Sequence, residues 1–396
     1  MRIENLKYIN SGSQHGVTAS ISWEENDRPV FTMYFYTEKE EQISLNPDAF
    51  LTACYIPAMY LGEKRIKVDG LLDSELKRGT NLNMNMFQKW YGRKYKTLSI
   101  EENKSVFEYK KNVSNAGLFF SGGVDSIYSL LLNRKKYKNT HPLFINDCFI
   151  VHGFDIYEQD GNDDHRFYFD RAVKSTKKIT EDVGAKLIPV FTNVRQLFFD
   201  YSSFCPRWFH GAALASVGHC FASRINSIFI ASSFTPSMLV PYGSHPLLDL
   251  NFSSSHLKVI HDDLSATIDK LRLISESEVS FQNIRTCYQN NEKFLNCCHC
   301  EKCIRIMLTL MALGVLDRNH AFPLHEISSS SLISAMREHS EERHFKGLYL
   351  ELVPFLRNRG HQDLVNVILN ENRLKSKIRR FDECYFQGKL KSLLPC

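Results

Sequence analysis

From Ala116 to Ala231 short apolar runs alternate with segments of helical period, and that alternation constrains the fold more than any other feature of the chain. Ala116-Gly117-Leu118-Phe119-Phe120 reads as a buried strand, and a glycine turn then leads into a helix carrying Ile127, Leu130 and Leu131. Cys148 to Val151 is a second strand, Phe167 to Val183 a helix, and Lys186 to Phe191 a third strand. Gly211 to Ser223 follows as a helix and Ser227 to Ala231 as a fourth strand. Strands separated by helices pair in parallel through right-handed crossovers, so the expected fold class is α/β with a doubly wound parallel sheet.

At 396 residues the chain has room for more than one core, and its flanks read differently from its middle. Residues 1–112 are expected to form a mixed α+β N-terminal domain. There Val17, Ala19, Ile21 and Trp23 alternate with small polar residues, Glu25-Asn26-Asp27 turns, and Val30, Thr32, Tyr34 and Tyr36 resume the alternation as a hairpin. Asn46-Pro47-Asp48 opens a short helix carrying Phe50, Leu51 and Ile56. The charged stretch Glu101 to Lys111 reads as a surface segment or linker. Residues 113–318 carry the alternating pattern, and 319–396 read as a helical, charged C-terminal extension.

The apolar share of 43% is that of an ordinary globular protein. A net charge of +5 would help attract an anionic ligand but is not the footprint of a nucleic-acid binder, so nucleic acid is not expected as a partner. No secretory leader and no bilayer-length apolar run is visible, so a cytoplasmic location without a membrane partner is expected.

The chemistry begins at Ser121-Gly122-Gly123-Val124-Asp125-Ser126, between the first strand and its helix. Two glycines let the backbone turn tightly and approach an anion, and the helix start offers free amides to a phosphate. Ser121 and Ser126 add hydroxyls, and Asp125 is placed to help hold magnesium. A plain serine–glycine turn capping a helix would read the same way locally. The octapeptide Phe119 to Ser126 resembles the signature loop of the PP-loop (N-type) ATP pyrophosphatases, whose fold is adenine nucleotide alpha-hydrolase-like. The resemblance implies cleavage of ATP between its α and β phosphates, leaving an adenylated substrate for a nitrogen or sulfur nucleophile. It assigns Phe120, Ser121, Gly122, Gly123, Val124, Asp125 and Ser126 to the nucleotide, with Asp125 and Ser126 in catalysis.

Eleven cysteines occur, and four of them, Cys297, Cys298, Cys300 and Cys303, fall within seven residues, with Cys287 just upstream. The spacing Cys-x2-Cys-x2-Cys at 297, 300 and 303, with Cys287 folding back, supplies four thiolates for a tetrahedral structural zinc. Cys298 in place of Cys297, a contribution from His299, an iron–sulfur cluster and disulfides are the alternatives. Cys54, Cys148, Cys205, Cys220, Cys384 and Cys396 read as scattered apolar thiols.

Thr286-Cys287-Tyr288, the three following cysteines, Arg305 and Ala312-Leu313-Gly314 together resemble 7-cyano-7-deazaguanine synthase and its relatives. Thr267-Ile268-Asp269-Lys270 lies where that family carries a Thr-Lys pair, which makes Lys270 a candidate phosphate or substrate contact; a solvated helix lysine is the other reading. The likeness runs from Ala116 to Asp317. It does not extend to the terminal regions, to Pro241-Tyr242-Gly243-Ser244-His245-Pro246-Leu247-Leu248-Asp249, or to Cys298, which stands where a glycine is usual.

What the resemblance implies is ATP-dependent adenylation of a carboxylate or amide, release of pyrophosphate and then AMP, and amide or nitrile formation with ammonia or an amine. The acceptor would be a deazapurine, another metabolite or a protein partner docked by the terminal domains. Relatives occur in antiphage operons, so a defence role is one expectation. A tRNA-thiolating sulfur transferase and a non-catalytic nucleotide-binding module are the alternatives.

Other polar residues are weaker candidates. His152-Gly153-Phe154-Asp155 follows the second strand at a carboxyl edge, where His152 and Gly153 are expected to border the nucleotide. His210-Gly211 and Ser232-Ser233-Phe234-Thr235 are candidate substrate and phosphate contacts. His261-Asp262-Asp263 reads as an acidic metal cluster or a helix N-cap.

Overall fold

The computed structural model describes residues 1–92, 95–103, 114–154, 156, 164–197, 205–289, 293–338 and 343–371. Asp155 and the thiols of Cys205, Cys384 and Cys396 therefore lie outside the described residues, as do most of the charged stretch 101–111 and residues 372–396. The chain divides into two compact units, Met1–Ser265 and Ala266–Cys396.

The first unit holds ten strands among the described residues: β1 (Arg2–Ser11), β2 (Gln14–Ser22), β3 (Phe31–Thr37), β4 (Arg65–Val68), β5 (Ser99–Glu102), β6 (Ala116–Phe119), β7 (Ile145–His152), β8 (Lys186–Thr192), β9 (Ser227–Ala231) and β10 (Lys258–Asp262). They form one sheet in the order β10-β9-β6-β7-β8-β3-β2-β1-β4-β5. The block from β10 to β8 is wholly parallel, β8-β3-β2-β1 is antiparallel, and β1-β4-β5 is parallel again. This is the α/β architecture that the alternating pattern predicts, with all four sequence-read strands inside the parallel block.

The hairpin read from residues 17–36 is β2 and β3, and Val17, Ala19 and Ile21 are buried as expected. On β3 the core face is the opposite one to that expected: Met33 and Phe35 are buried, while Tyr34 and Tyr36 are only partly so, Thr32 is exposed and Val30, before the strand, is exposed. The helix opened by Asn46 is α1 (Pro47–Tyr60). Asn46 caps it by accepting from the Asp48 amide at 2.9 Å and donates in turn to the His219 carbonyl at 3.0 Å. Nearly every residue of α1 is buried, as an apolar helix without a polar face requires. The remaining helices of this unit include α2 (Ser74–Tyr91), α3 (Val124–Lys136), α4 (Asp164–Asp182) and α5 (His210–Cys220).

The first 112 residues do not form a body of their own. Strand β3 pairs with β8 through Phe35↔Thr192 and Tyr36↔Phe191, and Tyr36 stacks on Phe191 at 5.0 Å. The Asn193 side chain prolongs that seam, accepting from the Tyr34 amide at 3.0 Å and donating to the Thr32 carbonyl at 2.8 Å. Residues 1–112 and 113–265 thus share one sheet and one core, and the boundary between units falls at Ser265, within the expected 113–318 segment.

The second unit is helical among the described residues: α6 (Thr267–Ile274), α7 (Glu278–Gln282), α8 (Glu301–Leu313), α9 (Ser329–Glu338), α10 (Arg343–Leu350) and α11 (Val353–Asn358). Among the described residues no helix is long and apolar enough to cross a membrane.

Helix α2 carries Gly79 where it meets the segment leading to β10. A Cβ at Gly79 would lie 2.0 Å from the Asn251 carbonyl oxygen. Alanine normally gains about 0.5–1 kcal/mol over glycine inside a helix. Gly79→Ala is expected to do the reverse and lower stability by about 1–3 kcal/mol through overpacking, as urea unfolding will measure. A stabilised variant would contradict this packing.

Candidate functional site

Within the parallel block the chain runs from β6 to β7 to β8 on one side, then returns to β9 and β10 on the other. The loop after β6 therefore lies at the point where the strand order reverses, at the carboxyl ends of the strands, where open α/β sheets bind ligands. Phe119 and Phe120 are buried, and the Phe120 amide donates to the Phe149 carbonyl at 2.8 Å, extending the ladder up to Ser121. Gly122 takes φ +74°, a left-handed conformation in which side chains are disfavoured. Gly123 is the N-cap of α3 and offers it no side-chain acceptor.

The hydroxyls here divide their work. Buried Ser126 donates to the Gly123 carbonyl at 3.0 Å, which braces the loop. Ser121 is exposed and its Oγ accepts from the Gly123 amide at 3.3 Å. Asp125, in the first turn of α3, accepts from the Ser233 hydroxyl at 2.8 Å. The serine-rich segment after β9 thus meets the loop after β6. Ser232 anchors that segment through its amide, which donates to the Asp262 carbonyl at 3.0 Å. Burial pushes the Asp262 carboxyl above the usual carboxylate range, with the Asp263 charge adding to the rise and the Ser129 hydroxyl opposing it.

The expectation for His261-Asp262-Asp263 is corrected. His261 and Asp262 end strand β10, and Asp263 turns the chain at φ +57°, accepting from the Ser265 amide at 3.0 Å. The next helix begins only at Thr267, so the triplet is neither a helix cap nor, among the described residues, part of a metal-ligating group.

His152 ends β7 and Gly153 follows it in the turn, and packing accounts for much of their geometry. His152 is buried with its ring 5.0 Å from Phe169 and 5.4 Å from Phe191. Gly153 has φ +102°, and a Cβ there would sit 1.9 Å from the Thr192 carbonyl oxygen. His210 is exposed at the start of α5, and the Gly211 amide donates to the Gly243 carbonyl at 2.8 Å.

In the second unit Cys287, Cys297, Cys300 and Cys303 bring their sulfurs within 4.8 Å of one another, positioned to bind a metal ion. A tetrahedral zinc with bonds of about 2.3 Å needs sulfur separations of about 3.8 Å. Cys297 and Cys303 are 3.9 Å apart. Hydrogen bonds from the Cys300 and Cys303 thiols hold the Cys287 thiol far below its ordinary range, and the same bond with Cys287 pushes Cys300 up to about 12. Sulfurs crowded enough to share protons are the donors a divalent cation takes. Cys297 also accepts from the His299 and Cys300 amides at 3.4 and 3.3 Å. Cys298 and His299 are not among the four gathered residues. Cys298 has φ +63°, a left-handed conformation that favours glycine.

The sequence gives little sign of the group that builds this site, Asn296. It is fully buried, and its Oδ1 accepts from the Thr286 amide at 2.8 Å, the Thr286 hydroxyl at 3.1 Å and the Cys287 amide at 3.2 Å. Its Nδ2 donates to the Ile284 and Ala321 carbonyls, both at 2.9 Å. One side chain therefore carries Cys287 back to the Cys297–Cys303 turn. Glu338 at the end of α9 also braces the site, accepting from the Tyr288 hydroxyl and, at 3.0 Å, from the Glu301 amide. Lys270 lies on α6 at only 1% exposure, so the reading of a solvated helix lysine is set aside.

Asn296→Ala is expected to lower zinc affinity about 10- to 100-fold, measured by competition with a chromophoric chelator. Unchanged affinity would contradict its role. Cys298→Gly is expected to keep full zinc stoichiometry by metal analysis, and loss of the metal would place Cys298 in the ligand set.

Searches of protein-family models, curated proteins and solved structures find no match to this chain.

Proposed function

We propose that this chain is an ATP pyrophosphatase of the PP-loop type that adenylates a substrate carboxylate and passes the acyl group to ammonia or an amine. The observation that carries the proposal is the position of Ser121–Ser126 at the strand-order reversal of the parallel block. An anion at the start of α3 meets amides that no side-chain cap occupies, in the field of the helix.

The substrate carboxylate attacks the α-phosphorus, the bond to the β-phosphate oxygen breaks, and pyrophosphate leaves. Gly122 and Gly123 would receive that pyrophosphate through the backbone, and the Ser121 hydroxyl would donate to it. Magnesium, held by Asp125, would offset phosphate charge. Ser233 orients that carboxylate through its 2.8 Å hydrogen bond. The nitrogen then attacks the activated carbonyl, the C–N bond forms, and AMP leaves with one of the carboxylate oxygens.

Zinc on Cys287, Cys297, Cys300 and Cys303 would be structural, because four thiolates leave no coordination position for water or substrate. Four cysteines positioned to share one ion also disfavour tRNA thiolation, which wants a reactive pair free of metal. The likeness to 7-cyano-7-deazaguanine synthase makes 7-carboxy-7-deazaguanine the first substrate to try, with a protein carboxylate as the next class.

Products of ATP with magnesium, 7-carboxy-7-deazaguanine and ammonium, separated by chromatography, test the proposal. AMP and pyrophosphate that require the deazapurine are expected, falling about 100-fold or more in Asp125→Ala. ADP and phosphate as products, or AMP formation indifferent to Asp125→Ala, would overturn it.

A further inference from the structure

The helix that carries two of the gathered cysteines is gripped at both ends by the C-terminal region. Cys300 is the N-cap of α8 and Cys303 lies in its first turn. At that end the Glu338 carboxylate accepts from the Glu301 amide at 3.0 Å, a negative group where a helix start favours one. At the other end Arg359, just past α11, donates to the Leu313 carbonyl at 2.8 Å, a cation where a helix end favours one. Tyr349 of α10 makes the buried contact. Its hydroxyl donates to Glu301 Oε1 at 3.0 Å, and Arg305 donates to the same oxygen at 2.8 Å. Tyr349 and Glu301 are each 2% exposed, so losing the hydroxyl would leave a buried carboxylate short of a donor.

Glu338 also joins the two arms that carry the sulfurs. Tyr288, next to Cys287, donates to its Oε1, and the amide of Glu301, next to Cys300, donates to its Oε2. One carboxylate reaches both donors because Cys287 has folded back beside Cys300, and that is the arrangement a shared ion enforces. A metal on the four sulfurs therefore builds the seat that Glu338 occupies. The same helices cover α8 with an apolar face: α8 packs against α9 and α11, whose Leu332, Met336, Val353 and Leu356 are buried.

We infer that α9, α10 and α11 form a clasp on α8 that closes when the four thiolates take their metal and opens when they lose it. Such coupling is reciprocal: the factor by which the metal favours the closed clasp is the factor by which the closed clasp tightens the metal. The ion then controls the order of the C-terminal helices as well as holding the ligand loops, and opening bares the apolar face that Leu332, Met336, Val353 and Leu356 now bury. Glu338 and Tyr349 are positioning residues that act through the segments bearing the sulfurs. The clasp uses none of the ATP chemistry and stands whether or not that reading holds.

Hydrogen–deuterium exchange on the full chain, zinc-loaded and after stripping with a chelator, reads the clasp, with zinc content checked by elemental analysis. Amides of α9 to α11 are expected to exchange at least about 10-fold faster without zinc, and those of β6 to β8 within about 2-fold of the loaded chain. Competition with a chromophoric chelator gives the reciprocal measurement. Zinc affinity is expected to fall about 10-fold in Glu338→Gln and at least about 3-fold in Tyr349→Phe, while Arg357→Ala, at an exposed position of α11, binds as the parent does. Exchange in α9 to α11 that ignores the metal, variants that hold zinc as tightly as the parent, or a chain that takes up no zinc overturns the clasp. If stripping unfolds the whole second unit, the variant affinities decide; if a variant fails to fold, exchange in the parent decides.

Discussion

The parallel pairing of β6 with β7 on one side and β9 on the other sets where the candidate site residues of the first unit come together. It turns the carboxyl ends of five strands to one edge and puts the strand-order reversal at the loop from Ser121 to Ser126. Ser233 after β9 then meets Asp125, and His261 at the end of β10 lies along the same edge. None of these residues is adjacent in sequence to another, and the sheet alone makes them neighbours. The antiparallel β3–β8 seam adds the N-terminal strands to the same core and closes what would otherwise be an open edge of the parallel block.

The second unit depends on a different constraint, the satisfaction of one buried amide. Asn296 spends all its hydrogen-bonding capacity on Ile284, Thr286, Cys287 and Ala321. A buried amide left half-paired would cost more than most surface contacts return, so the segments carrying the sulfurs are fixed together. Metal binding and local folding are coupled in such a site.

Parts of this were legible in the sequence because they are local. The strands of the parallel block are contiguous apolar runs, as burial on both faces requires, and Asn46-Pro47-Asp48 states a helix start in three residues. The cysteine spacing likewise exposes the ligand set. What escaped was short, polar or distant. Arg65–Val68 and Lys258–Asp262 are strands with charged residues in them, so His261 and Asp262 read as a polar cluster with Asp263 rather than as the end of β10. The Phe35↔Thr192 pairing is non-local and leaves no local pattern, which is why residues 1–112 looked separable. Asn296 beside a cysteine-rich run reads as a loop residue, and Lys270 on a short amphipathic helix reads as solvated until its burial is seen.

Adenylation makes one statement about atoms that no other ATP chemistry shares. A substrate carboxylate labelled with ¹⁸O should transfer one labelled oxygen to AMP during turnover, read by mass spectrometry of the nucleotide. One ¹⁸O in AMP is the predicted result. Label found in inorganic phosphate alongside ADP, or AMP free of label while product accumulates, would contradict attack by the carboxylate at the α-phosphorus and with it the role given to the loop after β6.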